Sequence, residues 1–276
     1  MKSDTELTDN EYWDNYWSGY KLPAVVEMKP GNQVMNAQLR TLDLFLSADP
    51  GNSILEIGGA PGQYLAYFAK KYGFKASALD YSATGCELTR KNFELLGLDV
   101  TVYQQDLLSI DGTLPLFDIV YSMGVVEHFT DLELVIGKHL DLLKPGGLLI
   151  IGVPHFIRVF SPLLKTLAPK TMSGHCLDSI DIQNWTSFER KYNLDILFKN
   201  YIGGFEPLLI KSVVNQEIEN TGSRIKQSGK LVESLLEFYS RVRWFVYRRY
   251  PSCRIFAKIN SRYFSAYAMG IYRQQI

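Results

Sequence analysis

Three acidic residues stand at or just past the ends of apolar stretches. They are Glu56 in SILEIGGAPG at 53–62, Asp80 in KASALD at 75–80, and Asp106 in VTVYQQD at 100–106. The first stretch breaks into Gly58-Gly59-Ala60-Pro61-Gly62, a turn that lets backbone come close to whatever binds there. A phosphate-cradling loop needs Lys and then Ser or Thr after its second glycine, but Gln63-Tyr64 follow Gly62. The dinucleotide pattern G-x-G-x-x-G also fails. Counted from Gly58, its third and sixth positions are Ala60 and Gln63; counted from Gly59, the third is Pro61. Glu56, two residues before the turn, would repel a pyrophosphate and suits a ligand ammonium, directly or through water. Asp80, 24 residues further on, can accept hydrogen bonds from two ribose hydroxyls. Asp106 can accept from an exocyclic adenine amine. The ligand these residues describe has an ammonium, a ribose and an adenine, and no phosphate.

The elements that must position these side chains alternate along the chain. Strand 53–58 precedes helix 62–72, and strand 75–80 precedes helix 83–96, which Gly97 closes. Strands 100–104 and 116–121, helix 130–143 and strand 148–153 follow, the last after Lys144-Pro145-Gly146-Gly147. Strands separated by helices predict parallel βαβ units and a doubly wound α/β sheet. Their nearly unbroken apolar character fits burial on both faces. Helices are expected at 10–18 and 32–47, the first with Tyr12, Trp13, Tyr16 and Trp17 at i,i+4 spacing. Residues 154–180 lose regularity, as substrate loops beside strand ends do. Helix 180–192 and strand 194–201 resume the pattern, 205–262 read as helical, and 264–272 could be a last strand.

S-adenosylmethionine has the three ligand parts named above. The sequence resembles the class I S-adenosylmethionine-dependent methyltransferases, small-molecule type. The resemblance rests on LEIGGAPG at 55–62, LDYS at 79–82, QQDLL at 104–108, FDIVYSMGVVEHF at 117–129 and LKPGGLLIIGVP at 143–154, in the family's order. It implies a Rossmann-like, mostly parallel seven-stranded sheet whose last strand, 264–272, is antiparallel and follows a helical insertion at 203–262. It also implies one methyltransferase domain over 1–276. Residues 1–50 would cover a cofactor-binding core at 51–154, and insertions at 155–180 and 203–262 would shape the substrate site. By resemblance, Glu56, Gly58, Gly59, Ala60 and Gly62 shape the methionine end. Asp80 and Tyr81 hold the ribose, Asp106 and Leu107 frame the adenine, and Ser122 and Met123 line the floor. Ala60 replaces the usual middle glycine.

Methyl transfer to a hydroxyl needs alignment and gains from a base that takes the proton. His128 in VEHF is the first candidate and His155 in GVPHF the second. His175 lies where a lid could reach in, and His139 reads as a helix-interior structural residue. Glu127 either orients a loop amide or assists His128. The aromatic N-terminus either covers the cofactor or staples onto the core. The N-P-P-[YFW] acceptor motif of amine methylases is absent: positions 122–125 read SMGV. The expected acceptor is therefore a small polar metabolite methylated on oxygen, such as a sugar or natural-product hydroxyl. The alternatives are an RNA or protein methyltransferase and a non-catalytic adenosyl-binding protein.

The 29 basic and 29 acidic residues balance, but the eight basic residues after position 237 face no acidic ones. There Trp244, Phe245, Tyr247 and Tyr250 mix with Arg241, Arg243, Arg248 and Arg249. The stretch 241–262 is either a solvated face or a contact for an anionic membrane or lipid-linked substrate. Without net positive charge or a nucleic-acid motif, nucleic acid is disfavoured as a partner. Cys86, Cys176 and Cys253 fit no disulfide framework or metal spacing, and no metal is expected. No leader layout and no long apolar run stand out, so the expected location is the cytoplasm, with the inner membrane face held open by 241–262.

Overall fold

The computed structural model describes residues 5–158, 161–206 and 259–275, with scattered positions between 210 and 249. Its strands are β1 Ser53–Ile57, β2 Lys75–Asp80, β3 Thr101–Gln104, β4 Phe117–Met123, β5 Leu143–Pro154, β6 Leu194–Phe205 and β7 Ser265–Gln274. They form a seven-stranded sheet ordered β3-β2-β1-β4-β5-β7-β6. β7 runs antiparallel to β5 and β6, and the other pairs are parallel. The helices are α1 Asn10–Trp17, α2 Gln33–Asp43, α3 Gln63–Tyr72, α4 Ala83–Leu96, α5 Leu132–Leu140, α6 Ser161–Leu167, α7 Pro169–Ser173, α8 Leu177–Ile180 and α9 Thr186–Lys191.

Both sheet faces are covered, which is why the strands are apolar throughout. Ile54, Ile119 and Ile150 belong to one core layer with Leu39 and Leu42 of α2 and Leu65 and Phe68 of α3. Their neighbours in sequence, Leu55, Val120, Leu149 and Ile151, belong to the other with Val135 and Ile136 of α5 and Phe188 of α9. Burying each of these side chains contributes about 1.5–3 kcal/mol. The strand order reverses between β1 and β4, and a crevice opens at the carboxyl ends of strands at such a switch point.

Local signals set the helix ends around that crevice. The Ser82 hydroxyl caps α4 by accepting from the Gly85 amide at 2.9 Å, and Gly97, at φ 64°, closes it. Ser82 also donates to Asp14 at 2.6 Å, which ties α1 to the start of α4. The N-terminal strand-like segment is pinned by a bridge between Glu6 and Phe129 and by Leu7 N–H donating to the His128 carbonyl at 2.8 Å.

Several expectations need correction. Of the helix expected over 180–192 only α9, Thr186–Lys191, forms; the short α8 ends at Ile180 before it. Asp181 between them accepts from Arg158, Tyr201 and the Gln183 amide, and such side-chain bonds compete with a helical ladder. α2 stops at Asp43 rather than 47, where the Asp43 carboxylate accepts from the Tyr67 and Tyr72 hydroxyls. β5 begins at Leu143, not 148, because a register irregularity lets Leu143 pair with Phe117. The irregular segment 154–180 carries three short helices, α6 to α8. Most of 203–262, including Arg243, Trp244, Tyr247 and Tyr250 of the basic aromatic stretch and Cys253, lies outside the described residues. Of the apolar residues in the segment expected to be helical, Phe238, Val242 and Phe245 are described and exposed. Among the described residues, no helix is long and apolar enough to cross a membrane.

Candidate functional site

A cavity with about 610 Å³ of empty space, its mouth included, sits at the carboxyl ends of β1, β2 and β4. Gly58 from the turn after β1, Asp80 and Tyr81 from the end of β2, and Asp106 and Leu107 after β3 line it. Gly124 and Val125 follow from the end of β4, with His128 and Phe129 beyond them. Glu6, Thr8, Trp13 and Trp17 of the N-terminal segment close the remaining side.

Each strand tip has a local reason for its shape. Gly58 has φ 64°, and a Cβ there would stand 2.9 Å from Val125 Cγ2. Gly59 leaves no room at all, since its Cβ would overlap the Glu56 carboxyl group. Gly59→Ala is therefore expected to lower stability by about 1–3 kcal/mol, the usual cost of overpacking; chemical denaturation checks it, and an unchanged midpoint would contradict the packing described. Asp80 is buried and takes the Ser82 amide on Oδ1 at 2.9 Å. Burial raises its pKa to about 6, the Ser82 and Ala60 amides offsetting part of the shift. Asp106 caps the 3₁₀ turn Leu107–Ser109, accepting from the Leu108 amide and the Ser109 hydroxyl at 2.9 Å each.

Glu56 lies behind the turn rather than on the cavity surface. It is 2% exposed, its Oε2 has no hydrogen-bond partner, and burial pushes its pKa up to about 8. Gly59, Ala60 and Gly62 likewise shape the turn from outside the lining. Ser122 and Met123 do not form the floor. Side chains alternate along a strand, and Ser122 points into the helix layer, donating to His139 Nε2 at 3.0 Å while His139 Nδ1 donates to the Val135 carbonyl. Gly124 and Val125 line the cavity instead. The Met123 sulfur lies 3.9 Å from the Tyr267 hydroxyl.

Of the two histidines read as bases, only His128 borders the cavity. Its Nδ1 donates to the Gly174 carbonyl at 2.7 Å, and burial lowers its pKa to about 3, the neighbouring His175 adding to the shift. His155 is fully buried elsewhere, with Nδ1 donating to the Ser265 carbonyl at 2.6 Å and its ring against Tyr201. Burial lowers its pKa too. Trp13 meets the His128 ring edge-on at 5.0 Å and donates from Nε1 to Thr8 at 3.0 Å. The aromatic N-terminus thus forms a cavity wall through Trp13 and Trp17, while Tyr16 stays exposed. Sequence reasoning missed Glu6, Thr8, Val125 and Phe129. The bridge between Glu6 and Phe129 spans more than a hundred residues, and no local pattern signals it.

The comparisons with known proteins fall on this same region. Residues 54–147 match the family model of a methyltransferase domain. A ubiquinone biosynthesis O-methyltransferase of Chelativorans sp. (strain BNC1) is 33% identical over 102 residues, covering 37% of this chain and 40% of that protein. The chain thus spans about two-fifths of the length of the first curated relatives it matches. Among solved structures, the [4+2]-cyclase SpnF aligns with TM-score 0.60 at 17% identity, over 100% of this chain and 98% of that one. A methyltransferase from Thiobacillus denitrificans in complex with S-adenosyl-L-homocysteine aligns with TM-score 0.55 at 15% identity, over 97% of this chain and 99% of that one. These two likenesses establish the fold.

Proposed function

We propose that this chain, whose core is a class I S-adenosylmethionine-dependent methyltransferase domain, methylates an oxygen of a small polar metabolite such as a sugar or natural-product hydroxyl. The observation that carries the reading is the cavity itself: two acidic strand tips, a glycine turn without room for side chains, and aromatic walls meet beside a neutral histidine. These residues fit S-adenosylmethionine. Asp80 keeps acceptor capacity beyond the backbone amides it takes, Gly58 admits close approach of backbone, and the unpartnered Glu56 Oε2 under the turn can accept from a bound water. When bound, the cofactor supplies an electrophilic methyl group on a sulfonium.

The chain's own residues do the rest. Asp80 accepts from the ribose hydroxyls, Asp106 and Leu107 frame the adenine, and Glu56 with Gly59, Ala60 and Gly62 hold the turn in shape. Trp13 and Trp17 exclude water. His128 donates from Nδ1 to Gly174, so its Nε2 carries a lone pair and can accept a hydrogen bond from the acceptor hydroxyl. With a pKa near 3 it orients that hydroxyl and takes up little of its proton. His128→Ala is expected to lower kcat by about 10²-fold, the cost of a misaligned nucleophile, while cofactor affinity stays unchanged. Wild-type turnover in that variant would remove His128 from the acceptor side.

The acceptor class is tested by incubating the protein with labelled cofactor and a metabolite library and searching by mass for gain of one CH₂. A product bearing an O-methyl group supports the reading. Tight cofactor binding with no label transferred favours a non-catalytic adenosyl-binding protein, and label on RNA or protein favours the macromolecular alternative. The stretch 241–262 supports contact with an anionic membrane or lipid-linked acceptor. Retention on anionic vesicles, absent on neutral ones, tests it.

A further inference from the structure

We infer that Glu127, His128 and His175 form a binding site for one divalent first-row transition ion, such as Zn²⁺ or Mn²⁺, set in the wall of the cavity. A carboxylate oxygen of Glu127 and one nitrogen of each histidine lie within 4.8 Å of one another. Small side-chain rotations would close them onto an ion at bond lengths of about 2.0–2.2 Å.

Two further observations point to a cation. A backbone carbonyl can only accept, so Nδ1 of His128, 2.7 Å from the Gly174 carbonyl, carries the ring proton. The same holds for His175, whose Nδ1 lies 2.7 Å from the Thr171 carbonyl. Both rings therefore keep their lone pair on Nε2, and carbonyl contacts of this kind orient histidines that ligate metals. Glu127 is 1% exposed, and its Oε2 has no hydrogen-bond partner. A buried carboxylate oxygen left unpaired is costly, and an ion would satisfy it.

The site is assembled across the fold rather than along it. Glu127 and His128 lie on the 3₁₀ turn Val126–His128 after β4, and His175 comes from the segment between β5 and β6. The Cys176 amide donates to the Glu127 carbonyl at 2.6 Å, which locks the two segments together. The rings of Trp13 and Phe156 pack edge-on against His128 and His175, a dry shell that strengthens ion binding. Two imidazoles and one carboxylate suit Zn²⁺, Mn²⁺, Fe²⁺ or Co²⁺ better than Mg²⁺ or Ca²⁺. Three protein ligands leave coordination positions open, and His128 places the ion beside the cavity. An acceptor oxygen would find its place there as a further ligand; this clause rests on the methyl-transfer reading, while the ion site does not. In the loaded site, His128 serves as ligand in place of hydrogen-bond acceptor.

The test uses the full chain, stripped with chelator and dialysed against Zn²⁺ or Co²⁺ alone. One equivalent of Zn²⁺ by elemental analysis and visible Co²⁺ absorption bands are expected for the wild type. His175→Ala and Glu127→Gln, checked for folding by far-ultraviolet circular dichroism, should bind at least about 10-fold more weakly. The half-buried His175 keeps the test decisive if the Glu127 variant fails to fold. No uptake by the wild type, or full uptake by the folded variants, overturns the site. Calorimetry with S-adenosylhomocysteine on the same wild-type sample separates the two proposals. Ion uptake without nucleoside affinity defeats the methyltransferase reading alone, and nucleoside affinity without ion uptake defeats the ion site alone.

Discussion

Asp80→Ala is expected to weaken S-adenosylhomocysteine binding about 5- to 150-fold, the equivalent of roughly 1–3 kcal/mol for buried hydroxyls left without a partner. Asp80 ends β2 with its side chain buried at the cavity surface. One oxygen holds the Ser82 amide, and the other stands where a Cβ on Gly85 would come within 3.2 Å. That small neighbour keeps space around the carboxylate. Asp80→Asn separates charge and geometry, because its one carbonyl oxygen can keep the Ser82 bond but serves the ribose poorly. Titration calorimetry gives the affinities, and melting curves show whether the variants stay folded. An alanine variant with wild-type affinity would take Asp80 out of the site.

The ligand-free protein is expected to be most stable near pH 6.5 and to lose stability as pH rises towards 8. Burial holds Glu56 and Glu127 at about 8, well above ordinary glutamates. Between about pH 4.5 and 8 the folded chain keeps protons that the unfolded chain has released, so stability falls as pH rises. The histidines act in the opposite sense. Burial lowers His128 to about 3 and His139 to about 4, and lowers His155 and His175 as well. Below about pH 6.5 the unfolded chain takes up protons that these rings refuse, so stability falls as pH drops. Above that value the histidines no longer contribute and the two glutamates decide the slope. Each supplies about 1.4 kcal/mol per pH unit, or about 2 kcal/mol between pH 6.5 and 8. Glu56→Gln keeps the volume and removes one of the two protons, so it should flatten the alkaline limb by about half. Denaturant titrations across this range read the slope directly, and a wild-type limb that is flat or rises with pH would contradict the burial of these carboxyls.

Much of this arrangement could be read from the chain because its causes are local. Ser82 and Gly97 bound α4, the glycine turn ends β1, and doubly buried strands read as apolar runs. What escaped has non-local causes. Asp181 interrupts a helical pattern through partners at Arg158 and Tyr201. Ser122 stands where the resemblance implies a floor residue, but the strand's pleat turns it towards His139, and that pairing depends on where α5 packs. Glu6 and Thr8 reach the cavity only because the chain's start pairs with Phe129. His155 shares a sequence position just past a strand end with other candidates, yet it faces Tyr201 and Ser265 rather than the cavity.

A crystal structure with S-adenosylhomocysteine bound decides whether this cavity is the nucleoside site. The ribose hydroxyls are expected within hydrogen-bond reach of Asp80, the adenine beside Asp106 and Leu107, and Trp13 and Trp17 over the ligand. A nucleoside found outside this cavity, or inside it with Asp80 out of reach of the ribose, would rule out Asp80 as the ribose partner.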